Sequence, residues 1–180
     1  MASSYFWRIS KYDPAKRDAA GHFLGDEWTL FTEIGQTIHG QLLTYPEYYA
    51  VESKYVEALL SFIDEASVNA LTISEMSIRF HSLIKSDDMF RDIALTPKEI
   101  HDGVLAEGAA LPRNLWADII RLNLREGLWC KLDAPGDFQI RFGWDYYVYV
   151  GAPTACRQSE ARAAALGLYA EAGVLPDATP

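Results

Sequence analysis

The side chains that can do acid–base, nucleophilic or metal chemistry are scattered through this chain of 180 residues. His22, His39, His81 and His101 show no HxxxH or HxxE spacing, and neither Cys130 nor Cys156 belongs to a CxxC pair. A zinc site gathers several such ligands at short, regular intervals, so no metal is expected. Phosphate-cradling GxGxxG and GxxxxGK[ST] loops and the GxSxG nucleophile elbow are missing, so no cofactor is expected either. The neighbouring carboxylates Asp26-Glu27, Asp64-Glu65 and Asp87-Asp88 diverge on any regular element and form no acid–base pair without further folding. Cys130, between Trp129 and Lys131 on an alternating stretch, reads as a core thiol rather than a nucleophile. The expectation is a protein without catalytic residues, not an enzyme.

What the sequence does concentrate is aromatic and acidic. Gly143–Val150, GWDYYVYV, holds one Trp, three Tyr and an Asp. Alternation places Asp145, Tyr147 and Tyr149 on one side and Trp144, Tyr146, Val148 and Val150 on the other. One side serves a core and the other a contact surface, because such amphipathic rings bury large areas with few rotors. The net charge is −9 and uneven. Between Thr44 and Glu107 twelve acids face five bases, giving −7, whereas residues 108–151 carry five of each. No cluster of Lys and Arg suited to phosphate is present, so neither nucleic acid nor a membrane surface is an expected partner. An acidic stretch steers a basic protein, and it also keeps a domain in solution.

Those residues need a scaffold, and 180 residues with 49% apolar and 13% aromatic side chains suffice for one core. The pattern predicts a single α+β domain over 1–173, an antiparallel sheet packed with four or five helices, and a flexible tail over 174–180. Ser4–Tyr12 alternates as a strand ended by Asp13-Pro14. Asp26–Ile34 reads as a second strand or a short helix. Thr44 three residues before Glu47, with Pro46 between, is a capping box opening a helix to about Glu65 on Tyr48, Val51, Tyr55, Leu59, Phe62 and Ile63. Glu52 falls among its polar positions. Ala70–Ser74 reads as a buried strand, and Ile78–Lys85 as a helical turn. Thr96 and Glu99 form a second capping box, predicting a helix to Glu107 stopped by Gly108. A third helix spans Asn114–Glu126. Leu128–Asp133 and Phe138–Phe142 make a hairpin, and Tyr146–Val150 extends it to a three-stranded meander. An alanine-rich helix over Thr154–Ala172 closes the chain.

Two cysteines are too few for a disulfide framework, and buried free thiols fit a reducing cytoplasm. The N-terminus lacks a basic region followed by an apolar stretch, so no signal peptide is expected. The longest apolar runs, Ala163–Leu168 and Tyr146–Val150, fall far short of the ~20 residues of a membrane span. The order helix, turn, helix, hairpin over residues 97–142 raises a winged-helix DNA reader as an alternative. Asp118 and Glu126 beside Arg113, Arg121 and Arg125 deny its second helix a basic face. An enzyme with an unrecognised site is the other alternative.

The segments YFWRISKYDPAKRDAAGHFLGDEWTLFTEIG, RLNLREGLWCKL and FQIRFGWDYYVYVG together resemble, in this order, the blocks of a widespread group of small bacterial proteins of largely uncharacterised role. The chain departs from that pattern at Trp144, where tyrosine is usual, and in its alanine-rich C-terminal segment. Small acidic proteins of this kind are similar to the immunity proteins that bacteria hold in the cytoplasm against contact-delivered nuclease toxins. The resemblance implies a protein-binding module that inhibits a basic nuclease by direct contact. On residue type and location, the partner-binding residues expected are Asp26, Glu27 and Trp28, with Asp145 and Tyr147 beside the meander.

Overall fold

Strand formation begins where aromatic and β-branched side chains alternate. The computed structural model describes residues 5–79 and 88–175. Ser4, most of the helical turn expected over Ile78–Lys85, His81, Asp87 and the end of the expected tail lie outside them. β1 (Tyr5–Ser10) turns Trp7 and Ile9 inward. It pairs with β8 (Val148–Ala152) on one side and β9 (Tyr169–Ala172) on the other, both antiparallel. With β4 (Leu71–Ile78), β5 (Ala110–Leu111), β6 (Leu128–Ala134) and β7 (Phe138–Phe142) these form a seven-stranded sheet in the order β5-β4-β6-β7-β8-β1-β9. A separate small hairpin joins β2 (Thr37–Ile38) and β3 (Gln41–Leu42). The α+β class and the antiparallel meander β6-β7-β8 are as the sequence predicts.

Four α-helices are described: α1 (Tyr45–Glu65), α2 (Pro97–His101), α3 (Trp116–Leu124) and α4 (Arg157–Ala165). Their buried faces share one cluster with the inward residues of the sheet, among them Ile73, Cys130, Leu132, Ile140, Val148 and Val150. Each such side chain contributes roughly 1.5–3 kcal/mol by leaving water. Both capping boxes form: Thr44 Oγ1 accepts from Glu47 N while Thr44 N donates to Glu47, and Thr96 and Glu99 do the same. α4 has no side-chain cap of its own. Instead Glu65, at the end of α1, accepts from the backbone N–H groups of Gln158 and Ser159 at 3.1 and 2.7 Å, which ties the C-terminal end of α1 to the N-terminal end of α4.

Several expectations are corrected. Asp26–Ile34 is neither strand nor α-helix; it is loop with one 3-10 turn at Phe31–Glu33. The strand expected to stop at Ser74 continues through a bulge at Glu75, which has φ 50°, to Ile78. α2 stops at His101, because Gly103 at φ 85° ends it well before Gly108. The C-terminal helix is only half its expected length: Gly167 at φ 79° breaks it, and the remainder pairs with β1 as strand β9. The last meander strand starts at Val148, because Asp145 and Tyr146 both have positive φ. The helix–hairpin order does not build a wing. β6 and β7 are interior strands of the sheet, and α3 buries Trp116, Ile119, Ile120, Leu122 and Leu124.

Glu52, expected on the polar side of α1, is completely buried. It meets Arg125, also fully buried, whose Nε and Nη2 donate to the two carboxylate oxygens at 2.6 and 2.7 Å. Arg121 adds a donor at 2.5 Å. The other guanidinium nitrogen of Arg125 donates to the carbonyls of Asp88, Met89 and Arg91 at 3.1, 2.9 and 2.8 Å. Burial alone would lower the pKa of Arg125, but the hydrogen bond and charge of Glu52 outweigh it and hold the cation. Arg125→Met leaves Glu52 buried and short of its main partner, and removal of one member of a buried pair costs about 3–5 kcal/mol. Urea denaturation should register that loss, and Glu52→Leu combined with Arg125→Met should recover most of it. A single variant within about 0.5 kcal/mol of the parent, the usual range of a surface substitution, would contradict the pair's role.

Candidate functional site

The turn between β7 and β8 is built around Tyr146. Its φ of 63° is an outlier for a bulky residue. The core holds it there: Tyr146 Oη donates to Tyr48 Oη at 2.6 Å, Tyr48 Oη donates to Glu52 at 3.1 Å, and Tyr55 Oη donates to the Tyr146 carbonyl at 2.9 Å. Burial raises the pKa of all three phenols well above the ordinary value, so each stays a hydrogen-bond donor. A hydrogen-bonded chain thus runs from Arg125 to the turn. Gly143 suits the same turn: its N–H donates to the Tyr147 carbonyl at 2.7 Å, and a Cβ there would sit tightly, 3.0 Å from the Tyr149 ring and 3.2 Å from the Tyr147 carbonyl oxygen. With Tyr146 fixed inward, its neighbours Asp145 and Tyr147 are directed outward.

They face the loop that follows β1. Asp13 accepts from Ala15 N at 2.9 Å to start a 3-10 turn, and Asp18 accepts from Ala20 N and His22 N, both at 2.9 Å. These local bonds fold the loop back so that Phe23 packs on Tyr12, ring centroids 4.8 Å apart. Between loop and turn lies a cleft of about 640 Å³ walled by Arg8, Tyr12, Phe23, Glu27, Asp145 and Tyr147, among others. A second groove of about 290 Å³ has Asp26, Glu27 and Glu47 around an apolar floor of Trp28, Leu42 and Val51. Glu27 belongs to both, so the two adjoin.

The five residues singled out in sequence therefore gather on one face, divided between the two recesses. Glu27, Asp145 and Tyr147 line the cleft; Asp26, Glu27 and Trp28 line the groove. Asp26 is exposed and lies 3.5 Å from His39. Trp28 is half-buried against Tyr48 and Tyr146, at 5.3 and 5.0 Å between ring centroids. Asp145 is exposed and makes no ion pair among the described residues. Tyr147 carries two guanidinium groups over its ring, Arg8 at 5.0 Å and Arg17 at 5.3 Å. Glu171 neutralises part of that charge, accepting from Arg8 at 2.9 and 3.0 Å and from Arg17 at 3.0 Å.

Sequence reasoning missed Lys11 and Tyr12, whose positions at the end of a strand gave no sign of function. Lys11 Nζ sits 3.9 Å from the Trp28 ring centroid and 4.7 Å from that of Tyr12. It donates to Glu27 at 3.0 Å and to the Trp28 carbonyl at 2.6 Å. Burial lowers the Lys11 pKa, with Glu27 opposing that shift. Tyr12 is 1% exposed, and its hydroxyl has no hydrogen-bond partner. It is one of three buried side-chain N or O atoms so orphaned among the described residues; Arg17 Nε, behind Tyr147, is another.

Cys130 and Cys156 are both buried and unpaired, as expected for core thiols. Burial pushes Cys130 up to about 12 and Cys156 up to about 11. No group of three or more His, Cys, Asp or Glu that could hold a metal is found among the described residues. No described helix is long and apolar enough to cross a membrane. No family model, curated protein or solved structure matches the chain.

Two outcomes are expected from this geometry. Asp145→Gly should leave the urea midpoint nearly unchanged, because aspartate is among the residues the left-handed region tolerates and glycine's extra chain entropy, roughly 0.5–1 kcal/mol, offsets the strain relieved. A fall in stability would show that the Asp145 side chain serves folding instead. Both thiols should resist a disulfide reagent at pH 8 in the folded protein and react at once in denaturant. Prompt reaction of either native thiol would contradict its burial.

Proposed function

We propose that this protein is a binding module that inhibits a basic protein by covering its surface, with a nuclease toxin as the partner class whose chemistry fits. The observation that carries the reading is the joining of two recesses through Glu27 on a face rimmed by Asp26, Glu47 and Asp145. Its apolar floor is accessible: Leu42 is 55% exposed and Leu24, on the neighbouring loop, 67%. Apolar contacts ringed by charge are the ordinary composition of a protein-binding surface, and carboxylates at the rim select a cationic counterpart. A nuclease surface is cationic because it binds phosphate. Inhibition by occupation needs rigidity and complementarity rather than a reactive group, and the hydrogen-bonded core beneath Tyr146 supplies the rigidity.

The test is a one-to-one complex with a basic nuclease domain, followed by calorimetry and stopped-flow mixing. Affinity and association rate should both fall as salt rises from about 0.05 M to about 0.5 M, because screening shortens from roughly 14 Å to 4 Å over that range. Asp26→Lys should slow association by about tenfold and leave the folded stability unchanged. A complex that ignores both salt and Asp26→Lys would sink the reading, as would the absence of any complex at the lowest salt.

A further inference from the structure

Within that reading, the larger recess has a definite occupant. We infer that the cleft between the 13–25 loop and the β7–β8 turn is a socket for one arginine side chain of the protein partner. Asp145 accepts its guanidinium, and Tyr12, Phe23 and Tyr147 supply aromatic walls.

The argument starts from which charges remain available. Glu27 is engaged by Lys11, and Glu171 by Arg8 and Arg17. Asp18, at the cleft's edge, accepts from two backbone N–H groups and lies 3.2 Å from His22. Asp145 has no such partner. Of the charged groups at the cleft it is the one presented free, on a backbone held at φ 55° by the core below.

The second, independent observation is the Tyr12 hydroxyl. It is buried, unpartnered, and carried by a side chain of the cleft wall. Burial is the main cause that raises its pKa, and the charges that add to the rise are those of Asp145, Tyr147, Glu27 and Glu33. An orphaned hydroxyl in the wall and a free carboxylate leave the cleft with polar groups that no described residue satisfies. Lysine's ammonium is a compact, strongly hydrated point charge, whereas a guanidinium has five donors in a planar fork and stacks on rings. The chain's own Lys11 already fills the ammonium-sized cage of Trp28, Tyr12 and Glu27 next door, which shows that this face holds cations between rings and a carboxylate. Arg8 and Arg17 lie over Tyr147 with side chains only 18% and 8% exposed, and Glu171 offsets one of their two charges. The volume, about 640 Å³, lies in the range of about 300–1,000 Å³ that encloses small ligands and admits a side chain with part of its backbone.

The experiment uses the full chain and N-acetylarginine amide as probe, followed by two-dimensional NMR. Its citrulline, lysine and glutamate counterparts serve as controls. The arginine amide should shift the Asp145, Tyr147 and Tyr12 resonances and saturate; the citrulline and glutamate amides should not, and the lysine amide should bind several-fold more weakly. Asp145→Asn, at an exposed position that leaves the fold intact, should weaken the arginine amide by at least about tenfold, the usual loss for a charge-assisted hydrogen bond. Tyr12→Phe should weaken it about three- to tenfold without loss of thermal stability, since the hydroxyl it removes has no partner in the free protein. Asp102→Asn, outside both recesses, should leave it unchanged. Equal shifts by citrulline, seating of the glutamate amide instead, or full binding by Asp145→Asn would overturn the socket. A basic partner that binds Asp145→Asn with unchanged affinity would also overturn it while leaving the proposed function in place. Seating of the arginine amide without any basic protein partner would remove the function and leave the socket.

Discussion

The buried ion pair between Glu52 and Arg125 ties together parts of the chain that nothing local would join. Arg125 lies just beyond α3, Glu52 in the middle of α1, and the carbonyls of Asp88, Met89 and Arg91 belong to a segment without regular structure. A charge buried without partners is intolerable in a low-dielectric interior, so the fold must bring every donor of Arg125 to an acceptor. Five such bonds satisfy its Nε and Nη1 and part of Nη2, and the Tyr45 hydroxyl takes the rest at 3.2 Å. A buried pair of this kind is a poor source of net stability compared with apolar packing. What it does geometrically is join the buried face of α1 to the residue just beyond α3, which constrains how the two helices meet.

That constraint is passed outward. The carboxylate of Glu52 orients Tyr48, Tyr48 orients Tyr146, and Tyr146 fixes the turn that presents Asp145. The face above is thus rigid at its centre and loop-built at its rim, where Asp13, Asp18 and Glu33 pin the loops through backbone N–H groups. Rigidity beneath a polar, aromatic surface limits the ordering entropy that association would otherwise cost. Of the three unsatisfied atoms, the Tyr12 hydroxyl and Arg17 Nε belong to side chains packed on Tyr147, and Ser61 Oγ lies on α1.

Signals confined to a few residues were legible in the sequence. Both capping boxes, the β6-β7 hairpin and the alternation of β1 depend on neighbours within four residues, and all appear where the pattern put them. What escaped depends on distant partners. Nothing local marks Tyr169–Ala172 as a strand; alanine favours a helix, and only the free edge of β1 makes this segment extended. Glu52 occupies a position of the buried stripe, four residues after Tyr48 and three before Tyr55, but its charge disguised it because Arg125 lies 73 residues further on. The same limit applies to the site. Residue type brought Asp26, Glu27, Trp28, Asp145 and Tyr147 forward, but their union on one face requires β1 to pair with β8, a contact across almost the whole chain.

Charge shows most clearly why composition and surface must be kept apart. The stretch from Thr44 to Glu107 carries −7 in sequence and looks like the natural attractant for a basic partner. In the fold, Glu52, Glu57, Asp64, Glu75, Asp88 and Asp102 each hold an ion pair, several with cations from outside that stretch such as Arg113, Lys131 and Arg162. Glu47 and Glu99 bind helix N-termini, so their charge is partly offset by the helix dipole. Asp145, from the stretch that is neutral by count, is the carboxylate left without a cation beside the cleft. Long-range steering still follows the net charge, which falls off over about 8–10 Å at physiological salt. Short-range contacts depend instead on which carboxylates the fold leaves without a cation, and beside the cleft that is Asp145.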